Sequence, residues 1–180
     1  MFRKLKFEEA IYSELKSIPL STQYKLDAIG VRLRLETWNC LSREARLLFC
    51  QIPVKTDQDK ECYRNYLLYL LKRRRRQVYL LEPEQTQKEK SEWENLLHIP
   101  DRVYQMAVDL DFTISPQDWL EMGEFQRYAL VKLSRGNYDR NYLSEALEEL
   151  LTTPAKVLAW KKKSPVAFHP EQQFVSIANG

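Results

Sequence analysis

The strongest constraint on this chain is a pattern that occurs twice. Val31, Leu33, Trp38, Leu41, Arg46 and Phe49 are matched, each 81 positions later, by Phe112, Ile114, Trp119, Met122, Arg127 and Leu130. Six matches at one offset imply two copies of a helix-connector-helix unit, each setting a Trp beside an Arg. Such a pair is expected to lock its two indoles into a shared hydrophobic centre. It builds a framework more readily than a catalytic pocket.

The residues between the repeated positions suit helices. Only four Gly occur among 180 residues, and a sandwich or barrel with many tight turns would need more. At 44% apolar and 12% aromatic residues, the chain can bury a full core. The expected fold is all-α: a compact multi-helix domain over residues 1–151 containing an internally duplicated helix-connector-helix unit, with a partly ordered C-terminal extension over 152–180.

Local signals divide the domain into segments. Phe7, Ile11 and Leu15 fall four apart and predict an opening helix that stops near Pro19. Ser21 or Thr22 is placed to cap a short helix, and Gly30 suits the left-handed position beyond its end. Val31 to Arg34 alternates apolar and basic residues and predicts a short extended connector. A longer helix is expected from about Leu35 to Cys50, with Trp38, Leu41, Ala45, Leu48 and Phe49 on one face. Thr56 and Asp59 form a capping box ahead of a third helix, which carries Cys62, Tyr63, Tyr66, Leu67, Leu70 and Leu71 and ends in Lys72-Arg73-Arg74-Arg75-Arg76.

Glu82 to Glu92 is polar, contains Pro83 and predicts a surface loop, after which Trp93, Leu96 and Leu97 return the chain to the core. In the second unit, Val103, Ala107 and Leu110 mark the first helix and Asp111 takes the place of Gly30. Ser115, Pro116 and Asp118 form the clearest helix start in the chain. That helix is expected to run through Trp119 and Leu133 to Gly136, and another from about Tyr138 to Leu151. A short helix around Val157 and Trp160 is expected in the extension.

The chemistry-bearing residues exclude several classes. No nucleophile-base pair or glycine-rich phosphate loop is legible, and His98 stands alone near a proline, so no catalytic residue is assigned. Cys40, Cys50 and Cys62 lack C-x-x-C spacing and read as plain buried thiols, so no metal site is assigned. The 28 basic and 25 acidic residues balance to +3, and the early positions of the second Trp helix offer Gln117, Glu121 and Glu124, whose carboxylates would repel phosphate. These features argue against nucleic-acid binding. The apolar runs are far shorter than the roughly 20 residues of a membrane span, and the charged start points to a cytoplasmic protein.

Two sets of basic residues remain. Arg46 and Arg127 follow their Trp on the same helix, and a guanidinium near a core needs an indole face, an acid or helix-end carbonyls, so Trp38, Arg46, Trp119 and Arg127 are read as structural. The Lys72 to Arg76 run covers more than one helical turn; it reads as a solvated helix end, or as a binding patch in which arginines such as Arg73 and Arg74 grip phosphates or an acidic protein patch.

The stretch from Pro19 to Pro53, with Tyr24-Lys25-Leu26-Asp27, Gly30-Val31-Arg32-Leu33 and Trp38, and the later Trp119 with Phe125-Gln126-Arg127-Tyr128-Ala129-Leu130-Val131-Lys132-Leu133-Ser134-Arg135, resembles the cyanobacterial nitrate-reductase-associated proteins. The likeness spans roughly Phe7 to Leu151. It implies a non-catalytic accessory or maturation protein, without a cofactor of its own, whose partner is the ferredoxin-dependent assimilatory nitrate reductase. That cytoplasmic enzyme holds an iron-sulfur cluster and a molybdopterin cofactor, so the link to the molybdenum cofactor is indirect. On this view Lys25, Lys132 and Arg135 are expected to reach the partner-binding surface, since each sits beside core positions. The alternatives are a carrier of a phosphorylated cofactor such as molybdopterin, which needs a concave pocket of convergent basic side chains, or a nucleic-acid regulator. The accessory role calls for an exposed apolar patch.

Overall fold

A computed structural model of the chain describes residues 4–76, 79–80 and 82–151. The expected C-terminal extension, with its short helix around Val157 and Trp160, lies outside these residues.

The described chain is mostly helical. A 3-10 turn at Lys6–Glu8 leads into α1 (Glu9–Glu14), which ends where Leu15 turns left-handed at φ 53°. Then come α2 (Leu20–Ala28), β1 (Val31–Arg32), α3 (Leu35–Asn39), α4 (Arg43–Gln51) and α5 (Asp57–Arg73). The second half holds β2 (Tyr79–Leu80), α6 (Pro83–Glu94), α7 (Asp101–Asp109), α8 (Pro116–Glu121), α9 (Glu124–Arg135) and α10 (Arg140–Leu151). The two short strands pair antiparallel, with Val31 opposite Leu80 and Arg32 opposite Tyr79. The extended connector thus has a strand partner that its own sequence does not reveal.

Helix starts keep the spacing of the repeated residues. Leu20 and Asp101, Leu35 and Pro116, and Arg43 and Glu124 each stand 81 positions apart. Gly30 at φ 67° and Asp111 at φ 63° make the same left-handed turn after α2 and α7.

Several expectations are corrected. The helix expected from Leu35 to Cys50 is two helices, because Leu41 turns into the core and the Ser42 hydroxyl accepts the Ala45 N–H at 3.3 Å, starting α4 afresh. The helix through Trp119 breaks likewise at Met122 and Gly123, where Gln126 Oε1 accepts the Gly123 N–H at 3.0 Å. Ser21 and Thr22 do not cap α2, which already begins at Leu20. The Ser21 hydroxyl shares a hydrogen bond with Tyr12, and that of Thr22 donates to Cys50 Sγ.

Residues expected as a loop from Glu82 to Glu92 form α6, with proline at its first position where the missing N–H costs no intrahelical bond. Leu97 is 94% exposed and Leu96 is also exposed, so only Trp93 returns to the core. Of the three thiols expected to be buried, Cys50 is buried, Cys40 is intermediate and Cys62 is exposed on α5.

The largest correction concerns the core. Instead of one shared centre, the described residues form two hydrophobic clusters, one around Trp38, Phe49, Tyr63 and Leu67, the other around Trp119, Tyr128, Leu130 and Leu147. Both indoles are fully buried, but in different clusters. The amino-terminal segment bridges them, giving Leu5 and Leu20 to the Trp119 cluster and Tyr12 and Leu15 to the Trp38 cluster.

Candidate functional site

The two clusters meet where α2 packs on α9, and polar side chains bond to one another across that contact. Asp27 on α2 is the hub: its Oδ2 accepts the Tyr128 hydroxyl at 2.8 Å and pairs with the Lys132 ammonium at 2.8 Å. One turn back, the Tyr24 hydroxyl donates to Glu124 Oε1 at 2.8 Å. Tyr24 also packs edge-on against Tyr128 at 5.0 Å and Phe125 at 5.7 Å. The ammonium of Lys132 lies 5.4 Å from the centre of the Tyr128 ring. Helical spacing explains the grouping: Phe125, Tyr128 and Lys132 follow three and four apart, so they line one face of α9.

Glu89 on α6 extends this network, 3.9 Å from Lys132 and 2.5 Å from Arg32 on β1. Burial and the negative charge of Asp27 hold the Tyr128 hydroxyl neutral, well above the ordinary phenol range. At the seam, then, cations and hydroxyls bond to partners within the molecule.

This placement differs from the expectation that Lys25, Lys132 and Arg135 face a partner. The Lys25 ammonium donates to the carbonyls of Cys50 at 2.8 Å and Ile52 at 2.7 Å, with Phe49 at 3.4 Å, and so completes the C-terminal end of α4. Burial lowers its pKa. The side chain of Lys132 is only 17% exposed. Arg135 pairs with Glu92 of α6 at 2.5 Å and keeps 27% of its side chain exposed. Helix-end carbonyls and half-buried carboxylates attract these cations inward.

The residues read as structural form two matching junctions. Trp38 Nε1 and Arg46 both donate to the Leu15 carbonyl, at 2.8 and 2.7 Å, and Arg46 also reaches Asn39 Oδ1 at 2.9 Å. Trp119 Nε1 donates to the Asn95 carbonyl at 2.9 Å, while Arg127 donates to the Trp93 carbonyl at 2.7 Å and to that of Met122. In each case the indole and guanidinium fasten the chain that precedes the unit.

Arg73 and Arg74 are exposed at the end of α5, with Arg73 5.7 Å from the Tyr69 ring and donating to its hydroxyl at 3.3 Å. Pairing of β1 with β2 sets Arg32 opposite Tyr79 shortly after this basic run, and Arg34 stacks over Tyr79 at 4.5 Å. Sequence reasoning missed this grouping of distant basic and aromatic residues. Among the described residues, no group of three or more His, Cys, Asp and Glu could hold a metal ion, and no helix is long and apolar enough to cross a membrane.

A further residue went unnoticed in the sequence. Glu8 is 1% exposed; its Oε1 accepts the Leu20 N–H at 2.8 Å, and its Oε2 has no hydrogen-bond partner among the described residues. Burial pushes its carboxyl up to about 7, opposed by the hydrogen bond from the Leu20 N–H and aided to a smaller extent by the nearby charge of Glu149. The signal was present: Leu5, Glu8, Tyr12 and Leu15 are spaced three, four and three, which places an acid within an apolar stripe.

Residues 4–150 match the family described as conserved nitrate reductase-associated protein. No curated protein and no solved structure matches the chain.

Proposed function

The chain belongs to the conserved nitrate reductase-associated protein family, and from that premise we propose that it is a non-catalytic accessory protein that binds assimilatory nitrate reductase in the cytoplasm and supports its activity or cofactor loading. The observation that carries this reading is the extent of the match. It covers 4–150, almost the whole described helical body, so the body itself is the unit on which the association depends.

The seam between α2 and α9 supports a framework role, since its polar groups bond to one another across the two clusters. Contact with the enzyme then falls to the outer surface. The exposed end of α5, with Arg73 against Tyr69 and Arg74 next to it in sequence, and the exposed Tyr79 under Arg34 each set a guanidinium on an aromatic ring, a pairing that fits an acidic, partly apolar stretch of a protein partner. Arg135 adds a cation on α9, while Lys25 and Lys132 act indirectly by holding α4 and the seam in place.

Co-expression with nitrate reductase tests the proposal. The tagged wild-type chain is expected to copurify with the enzyme, and Arg73→Glu with Arg74→Glu to reduce recovery about tenfold or more at unchanged helical content. Undiminished recovery would overturn the surface; failure of the wild-type chain to retain the enzyme would overturn the accessory role. Molybdenum and pterin analysis of the wild-type chain purified alone separates enzyme binding from cofactor carriage.

A further inference from the structure

A cleft of about 620 Å³ lies between the amino-terminal segment, α2, and the ends of α9 and α10 that face each other. Ile11, Ile18 and Leu26 give it aliphatic walls, and Glu8 lines it. Glu8 Oε2, without a hydrogen-bond partner among the described residues, is the observation that points to a ligand. A buried acceptor without a donor is costly, so this oxygen favours any group able to bring an N–H to it.

Two further features select the chemistry of that group. Tyr138 and Tyr142 line the same cleft and stack on each other at 5.1 Å with a 20° tilt, so two aromatic rings stand in its wall. The basic groups of the lining are already engaged, Arg32 with Glu89 at 2.5 Å and Lys132 with Asp27 at 2.8 Å. An anion would have to displace one of these carboxylates, whereas a cation finds the Glu8 carboxyl and two aromatic rings in the lining without breaking either pair.

We propose that this cleft binds a small organic cation, a primary amine or guanidinium on an apolar stem. Its head donates to Glu8 beside the tyrosine rings and its stem lies along Ile11 and Ile18. The volume falls within the range of small-molecule sites, about 300–1,000 Å³. The site stands on its own geometry and does not depend on nitrate reductase being the partner.

Charge at Glu8 should control the affinity. The groups around it are Glu149 on α10, Tyr12 on α1, Cys50 on α4, and Tyr138 and Tyr142; burial raises the pKa of the three tyrosines and the thiol, which stay neutral near pH 7. Glu8 therefore gains its charge as pH rises through about 7, and a cation binds better above that point.

The full chain is titrated with agmatine and with N-acetyl-arginine methylamide by calorimetry and methyl NMR, on either side of pH 7. Saturable agmatine binding that shifts the Ile11 and Ile18 methyls and tightens with pH is expected. Glu8→Gln keeps the acceptor for Leu20 and should weaken it about tenfold. Tyr138→Ala, at a residue 39% exposed, leaves the core intact and should weaken it several-fold. Absence of shifts at both isoleucines, or unchanged affinity in both variants, overturns the site. Preference for the blocked arginine over agmatine overturns the small-molecule assignment in favour of a protein side chain.

Discussion

Glu8 shows how one side chain can couple stability to pH. Its carboxyl titrates near 7 in the folded chain against about 4.5 when unfolded, so folding favours the protonated form. The associated stability is fully present below about 4.5 and is lost as pH rises through 7, a difference of about 3 kcal/mol. Urea unfolding across this window should show stability falling with pH, and Glu8→Gln should flatten the slope. A wild-type slope equal to that of the variant would contradict the assignment. Lys25 works in the opposite sense to a surface cation: by donating to carbonyls at the end of α4 it substitutes for missing helical N–H groups. Both roles were hard to read from sequence. The stripe through Phe7, Ile11 and Leu15 runs beside the one containing Glu8, and nothing local marks α4 as the destination of Lys25.

Among the elements, starts were more legible than ends. Thr56 with Asp59 and Ser115 with Asp118 form the capping boxes that their spacing announces, with hydroxyl-to-amide distances of 3.1 Å in both. Ser115→Ala should cost about 1 kcal/mol in chemical unfolding, mainly by unravelling the first turn of α8. Gly30 supplies the left-handed turn after α2, and an added Cβ meets nothing within 4 Å. Gly30→Ala is therefore expected to cost about 1 kcal/mol through backbone strain alone, and Gly30→Asn less, because Asn adopts this conformation more readily. Equal losses for the two variants would point to a steric cause instead. The helix breaks at Leu41 and Met122 and the helical state of α6 were obscured for one reason. Periodicity averages over a turn or more, so it passes across a one-residue cap, and it cannot register Glu89 and Glu92 finding Arg32, Lys132 and Arg135 elsewhere in the fold.

For the whole molecule, the polar seam decides whether two clusters behave as one cooperative unit. Asp27→Asn leaves Lys132 without its nearest carboxylate and weakens the Tyr128 bond in a half-buried place, so a loss of about 1–3 kcal/mol is expected. Hydrogen exchange should then show the Trp38 cluster opening separately from the Trp119 cluster, whereas in the wild-type chain their slowest amides are expected to exchange together. Continued joint exchange in the variant would mean that the bridging amino-terminal segment, with Leu5, Leu20, Tyr12 and Leu15, couples them instead. Sequence alone determined the helical class, the capping-box starts of α5 and α8 and the burial of both repeated tryptophans, because caps, periodicity and turn conformation are interactions among residues a few positions apart. Only the tertiary structure decided that the indoles sit in separate clusters, that Lys25 and Lys132 turn inward, and that Glu8 keeps a bare oxygen beside a cleft. The partners that settle those outcomes lie far along the chain, as Asp27 does from Tyr128 and Lys132, and distance in sequence carries no record of who meets whom.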